Sequence, residues 1–265
     1  MDSEAILRIE DLVKTYPDGT RAVRGVDFTV RRGELVSIIG PSGAGKSTLL
    51  RCINCLVQPT SGAVFFQGAA VNKARPRELR TIRRSIGMVF QSHNLIKRLP
   101  AVQNVLHGRL GYMSALRGSL GLFSAADVKM ALELLERVGL GDHAFKRADE
   151  LSGGQPQRAG IARALAQRPT LLMADEPIAS LDPTSSETVM SYMKGICEED
   201  GLTALVNLHQ VDFAKRFATR IIGMRAGRVI FDGPPAELTA ASTEAIYNGQ
   251  TGGESAEPLP RVRTA

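Results

Sequence analysis

A mostly parallel β-sheet with helices on both faces, joined to an N-terminal antiparallel strand set and interrupted by a helical insertion, is the α/β fold the sequence predicts. Three observations predict it. Short apolar runs bounded by turn residues alternate with helix-period segments along most of the chain, as in sheets buried on both faces. The run LVSIIG (35–40) ends in glycine and passes directly into a helix. Glycine is frequent, at 26 of 265 residues, and aromatics make up only 5%, which suits a turn-rich α/β protein better than an aromatic-rich β-sandwich.

Taken in order, residues 6–10 and 22–30 read as strands around a PDGT turn at 17–20. LVSIIG is a short buried strand and GKSTLLRCINCL begins a helix; strands follow at 62–68 and 85–91. From about 92 to 150 the chain turns helical. Ser124 and Asp127 form a capping box, Val128, Ala131, Leu132, Leu135 and Val138 recur at helical spacing, and Gly139 caps the C-terminus. A helix at 154–167, a strand at 170–175, a helix at 185–200, a strand at 203–209 and a hairpin about Ala226–Gly227 complete the pattern. The tail from residue 251 is rich in Gly, Pro and Ser and is predicted to be disordered.

Composition excludes several classes of function. No apolar run reaches the roughly 18 residues of a membrane span. The first ten residues carry three acids and no signal-peptide pattern, so the chain is expected in the cytoplasm. Three cysteines, Cys52, Cys55 and Cys197, do not make a disulfide framework. The C-x-x-C at 52–55 has no second pair to complete a zinc site and reads as helix packing, with both thiols on one face. The net charge is +6, with basic clusters at RRGE, KARPRELRTIRR and IKRLP. No aromatics are interleaved as stacking platforms, so nucleic acid is not an expected partner.

The segment GPSGAGKST, residues Gly40, Pro41, Ser42, Gly43, Ala44, Gly45, Lys46, Ser47 and Thr48, matches G-x-x-x-x-G-K-[ST] between a buried strand and a helix. Glycines let the loop turn its N–H groups inward around a polyanion, and the helix N-terminus adds its positive dipole end. Lys46 is placed to reach β- and γ-phosphates, and the Ser47 hydroxyl to ligate Mg²⁺. LLMADE then gains a meaning. Its strand delivers Asp175 to the same metal, and Glu176, one residue on, points differently and can polarise an attacking water. In LSGGQ, Ser152 caps a helix whose first N–H groups point outward, and Gly153–Gly154 allow close approach of a phosphate. One chain that already has a phosphate loop has use for this second site only if the site serves another chain.

Over about residues 5–245 the chain resembles the ATP-binding cassette (ABC) transporter ATPase subunits. The phosphate loop, LLMADE, LSGGQ, Gln91 in MVFQ, Asp182 in SLD and His209 in LHQ stand in the family's order, and Tyr16 lies where the family stacks an aromatic on adenine. The resemblance implies a P-loop NTPase fold with a RecA-like core, an N-terminal antiparallel β-subdomain and a helical subdomain at about 92–157, all within one ATPase domain of residues 1–250. It implies ATP and Mg²⁺ as cofactors, with Ser47, Gln91 and Asp175 about the metal and Lys46, Glu176 and His209 in catalysis. Tyr16, the loop 40–48, Gln91, Ser152, Gly153, Gly154, Gln155 and Asp182 would contact nucleotide. It further implies a head-to-tail homodimer, two permease subunits, indirectly a solute-binding protein, and a peripheral position on the cytoplasmic face of the membrane.

One residue departs from the family pattern. Pro156 stands where glutamine is common. With Ser152 as the cap it would be the fourth helical residue and lose one hydrogen bond, at about 1 kcal/mol. The segments 90–123 and 207–235 are similar to phosphonate importer ATPases, with NLIKRL suited to docking a membrane partner. Phosphite, hypophosphite or phosphate remain as other cargoes, as does an importer of another solute. A different alternative is an accessory ATPase of an intracellular phosphonate-degrading complex. A P-loop kinase would lack LSGGQ and the histidine, and soluble ABC-type ATPases of repair or translation carry two cassettes or a coiled coil.

Overall fold

A computed structural model describes residues 5–92 and 94–248. The expectations for the first four residues and for the tail from 251 lie outside these described residues.

Two sheets organise the chain. The first is antiparallel, in the order β2-β1-β4-β5, from β1 (Ala5–Thr15), β2 (Arg21–Arg31), β4 (Ser61–Phe66) and the short β5 (Ala69–Ala70). The second has six strands: β3 (Leu35–Ile39), β6 (Ile86–Val89), β7 (Leu171–Asp175), β8 (Thr203–Leu208), β9 (Arg220–Arg225) and β10 (Arg228–Gly233). Their order is β10-β9-β3-β8-β7-β6, all parallel except the hairpin partner β10.

Residue parity shows how the larger sheet is covered. Val36, Ile38, Leu171, Met173 and Leu205 face one hydrophobic cluster, together with the antiparallel sheet and helix α1 (Lys46–Ile53). Leu35, Ile39, Leu172, Ala174, Ala204 and Val206 face the other. That second cluster is filled by α3 (Ala101–Leu106), α5 (Ala125–Arg137), α6 (Gln155–Leu165), α7 (Pro183–Asp200), α8 (Val211–Phe217) and α9 (Ala240–Tyr247). The strands β3, β7 and β8 are buried along their whole length, as expected of a sheet covered on both faces.

The helical stretch is built from short pieces. Besides α3 and α5 it contains α4 (Ala115–Ser119) and a 3₁₀ segment at His107–Tyr112. The capping box forms, with Asp127 N–H donating to Ser124 Oγ and Ser124 N–H to Asp127. The C-terminus of α5 closes as a Schellman turn: Gly139 takes φ +66°, its N–H donates to Glu136, and Leu140 N–H donates to Leu135. The cap residue is Val138, with Gly139 one position beyond.

Several expectations need correction. The buried stripe of α5 is Ala131, Leu134, Leu135 and Val138; Val128 is exposed, because the first turn of the helix stands clear of the cluster. Helix α1 ends at Ile53, so Cys55 lies outside it in a left-handed conformation at φ +49°. Both thiols are nevertheless buried. The basic run 75–84 forms α2 (Pro76–Arg84), with no fully buried residue. The basic cluster KARPRELRTIRR thus contains a helix, and α8 and α9 are helices beyond those the sequence pattern predicts.

Candidate functional site

The C-terminal ends of β3, β7 and β8 converge at one edge of the sheet, and the loop between β3 and α1 crosses above it. Gly40, at φ +150°, lies so close to β9 that a Cβ would stand 2.1 Å from the Met224 carbonyl oxygen. A Cβ on Gly45, the α1 N-cap at φ +99°, would stand 2.1 Å from the Ala22 carbonyl oxygen. Gly43, at φ +79°, faces open space. Two glycines therefore let the loop sit down on its supports, and the third gives it a left-handed turn on its open side.

Lys46 is buried and folds back across this loop, donating to the carbonyls of Gly40 at 2.7 Å and Pro41 at 3.2 Å. Burial pushes its ammonium below the ordinary lysine range, and the carboxylates of Glu176 and Asp175 partly oppose the shift. Ser47 Oγ donates to Asp175 Oδ1 at 2.7 Å, joining the start of α1 to the end of β7. These hard oxygens suit a divalent cation that keeps most of its coordination for phosphate and water. Among the described residues no cluster of three or more His, Cys, Asp or Glu side chains offers a full cage.

The adjacent acids part company. Glu176 holds φ +52°, uncommon for a residue with a side chain, and so turns away from Asp175. Its Oε1 lies 2.5 Å from His209 Nε2, and His209 Nδ1 lies 3.5 Å from Lys46 Nζ. The tautomer that satisfies both contacts carries its proton on Nε2 and accepts at Nδ1. Lys46, Ser47, Asp175, Glu176 and His209 thus meet at the sheet edge, supplied by one helix start and two strand ends. Tyr16 approaches through its hydroxyl, 3.3 Å from Thr48 Oγ1, with Lys14 over its ring. Gln91 is exposed in the turn after β6, the strand beside β7.

The turn at 151–155 makes its contacts elsewhere. Gly153 takes φ +54°, and Gly154 rests against Ser185 and Val189 of α7. Ser152 and Gly153 are exposed. Asp182 caps α7, accepting from Ser185 N–H at 3.0 Å, and this hydrogen bonding lowers its pKa. Ser152 does not cap α6; the cap is Gly154, while Gln155 Oε1 accepts from Ser152 N–H. Pro156 is consequently the second helical residue, where the N–H has no intrahelical partner to lose, and the cost expected for it does not arise. Helix α6 begins at Gln155, so a boundary near 157 falls inside its first turn.

Four further residues matter that the motifs did not reveal. Asn207, buried at the end of β8, donates to Asp175 Oδ1 at 2.9 Å. Arg51 Nη2 stands 3.8 Å from Asp175 Oδ2; it follows Ser47 by four, so helical spacing could have flagged it. Tyr247 of α9 donates to the His209 carbonyl at 3.0 Å. Asn104, fully buried in α3, accepts from Ile96 N–H at 2.7 Å and donates to the carbonyls of Ile96, Leu99 and Pro100, fixing the loop that carries NLIKRL. Ile96 is thereby held half exposed, and Lys97 and Arg98 face solvent.

Comparison with known proteins bears on this arrangement. Residues 23–179 match the family model described as ABC transporter. A phosphonates import ATP-binding protein, PhnC 2, of Halalkalibacterium halodurans is 62% identical over 242 residues, covering 91% of this chain and 99% of that relative. One from Thiobacillus denitrificans is 54% identical over 241 residues, covering 91% and 92%. Among solved structures, a dimeric ATP-binding cassette in a post-hydrolysis state with ADP and phosphate superposes with a TM-score of 0.76 at 39% identity, covering 86% of this chain and 98% of that one.

Proposed function

The chain belongs to the ABC transporter family, and from that premise we propose that two copies share ATP across their interface and, docked on membrane permease subunits, power the import of phosphonates. One observation carries the ATPase reading: Lys46, Ser47, Asp175, Glu176 and His209 form one connected set of contacts beside an open glycine loop at a helix N-terminus.

In this reading the amides of residues 40–48 cradle the phosphates and Lys46 swings from the Gly40 and Pro41 carbonyls onto the β/γ oxygens. Ser47 and Asp175 would hold Mg²⁺, with Gln91 at the neighbouring strand end. The ion, when bound, neutralises phosphate charge. Glu176 accepts a proton from the attacking water, and His209 orients Glu176 through Nε2. Tyr16 lies against the adenine. Ser152, Gly153, Gly154 and Gln155 have no phosphate of their own to hold. Together with Asp182 they complete the site of the partner protomer; that a related cassette is solved as a dimer with ADP and phosphate supports pairing of two copies.

The helical segment at about 92–157 carries the coupling surface, within one ATPase domain. Its loop 94–99, braced by Asn104, offers exposed apolar and basic groups suited to docking; in this reading they meet two permease subunits, and the protein works at the cytoplasmic face of the membrane in indirect contact with a solute-binding protein. The phosphonate cargo is supported by the names of the relatives. The test is uptake of an alkylphosphonate, compared with phosphite, hypophosphite and phosphate, in proteoliposomes containing the whole complex. Replacing the exposed Ile96 and Arg98 together by Asp should abolish uptake and leave ATP binding intact. Transport of an amino acid or sugar, with no phosphorus oxyanion accepted, would overturn the cargo.

A further inference from the structure

β8 is buried from end to end, and within it Asn207 is a fully buried amide. Its Nδ2 donates to Asp175 Oδ1, but its Oδ1 has no protein partner among the described residues. A buried carbonyl without a partner is unfavourable, and an apolar side chain of similar volume would serve the sheet better. The amide therefore answers to something other than folding. Asp175 and Asn207 are register partners on the face of the sheet covered by α1. Asp175 Oδ1 accepts from both Ser47 Oγ and Asn207 Nδ2, whereas Oδ2 faces the Arg51 guanidinium at 3.8 Å.

We propose that Asn207 is a positioning residue for the carboxylate that receives the divalent cation. By holding Oδ1 it fixes the rotation of the Asp175 carboxylate, so that Oδ2 is the oxygen left to offer, with Arg51 as its counter-charge in the cation-free chain. The inference rests on the reading of Ser47 and Asp175 as cation ligands. Without this bond the Ser47 hydroxyl would remain on Oδ1, but the carboxylate would be less firmly fixed about its Cβ–Cγ bond, and the site would select a cation less well. Partners that orient a metal ligand in this way typically change metal affinity by about 10–100-fold when removed.

The test uses Asn207→Leu in the full chain and measures binding of a fluorescent, non-hydrolysable ATP analogue in EDTA and in Mg²⁺. The ratio of the two dissociation constants reports how strongly the cation and nucleotide assist one another, independently of turnover. We expect the ratio to fall about tenfold, toward that of Asp175→Asn. The dissociation constant in EDTA should stay unchanged, and the cation-free Tm should be equal or higher. Asn207→Val serves as a second variant if Leu does not fold. An unchanged ratio in N207L, with a reduced one in D175N, would overturn the role of Asn207 and leave the cation site standing. An unchanged ratio in D175N would remove the cation site and this inference with it. Weaker binding in EDTA with a lowered Tm would mean that Asn207 is merely structural.

Discussion

Two alanine substitutions in the glycine loop should differ in what they damage. At Gly45 the backbone is left-handed, φ +99°, and an added Cβ would stand 2.1 Å from the Ala22 carbonyl oxygen. Relieving that contact takes a backbone shift on the order of 1 Å. Ala22 belongs to β2, which is paired with β1 along its length and bonded through Arg24 N–H to Gly227 O, so the strand cannot yield freely. Adding the left-handed penalty of about 1–2 kcal/mol to an overpacking cost of similar size gives a loss of about 3 kcal/mol or more for Gly45→Ala. At Gly43 the φ of +79° carries the conformational penalty alone, because nothing lies within 4 Å of the added Cβ. Gly43→Ala should cost about 1–2 kcal/mol. Its methyl group would stand on the loop proposed to cradle phosphate and should weaken ATP binding at least about tenfold. Urea unfolding monitored by circular dichroism, paired with calorimetric titration of ATP, measures both quantities. Equal losses of stability in the two variants would refute the steric argument, and wild-type ATP affinity in Gly43→Ala would refute the cradle.

Glu176→Gln should retain ATP binding and reduce steady-state hydrolysis by about 10²-fold or more; near wild-type turnover would remove Glu176 from proton transfer. Pro156→Gln should change stability by no more than about 0.5 kcal/mol, because Pro156 occupies the first turn of α6, and a gain near 1 kcal/mol in thermal unfolding would place it deeper in the helix. Burial raises the thiol pKa of Cys52 to about 11 and of Cys197 to about 12, and raises that of Cys55. A disulfide reagent at pH 8 should therefore leave all three thiols largely unmodified until denaturant is added, and rapid labelling of the native chain would contradict their packing.

The parallel core was legible because its strands are short apolar runs closed by punctuating residues: LVSIIG ends at a glycine and TLLMAD at an acid, so position and direction follow from local pattern. The same holds for α5, whose Ser124 and Asp127 cap it by contacts three residues apart. What stayed hidden depends on tertiary position. Nothing local distinguishes a helix capped at Ser152 from one capped at Gly154. The difference arises because Gly154 packs on α7. Helix α8 is short, and α9 buries only Ile246 fully and has a weakly apolar face, so neither announced itself by periodicity. Within the site, the charged and glycine positions were legible from motif spacing, while their partners were not. Asn207, Tyr247 and Asn104 act by contacts 32, 38 and 8 residues away, across strands and loops that only the fold brings together.

The claim that nucleotide is shared between two copies is tested most directly by light scattering of the Glu176→Gln chain with and without Mg²⁺ and ATP. The account predicts a monomer without nucleotide, a dimer with it, and a monomer again when Ser152→Arg is added to the same chain, because it assigns Ser152 to the partner's phosphate alone. A nucleotide-bound monomer at every concentration, also with the permease present, or a dimer indifferent to Ser152→Arg, would contradict it.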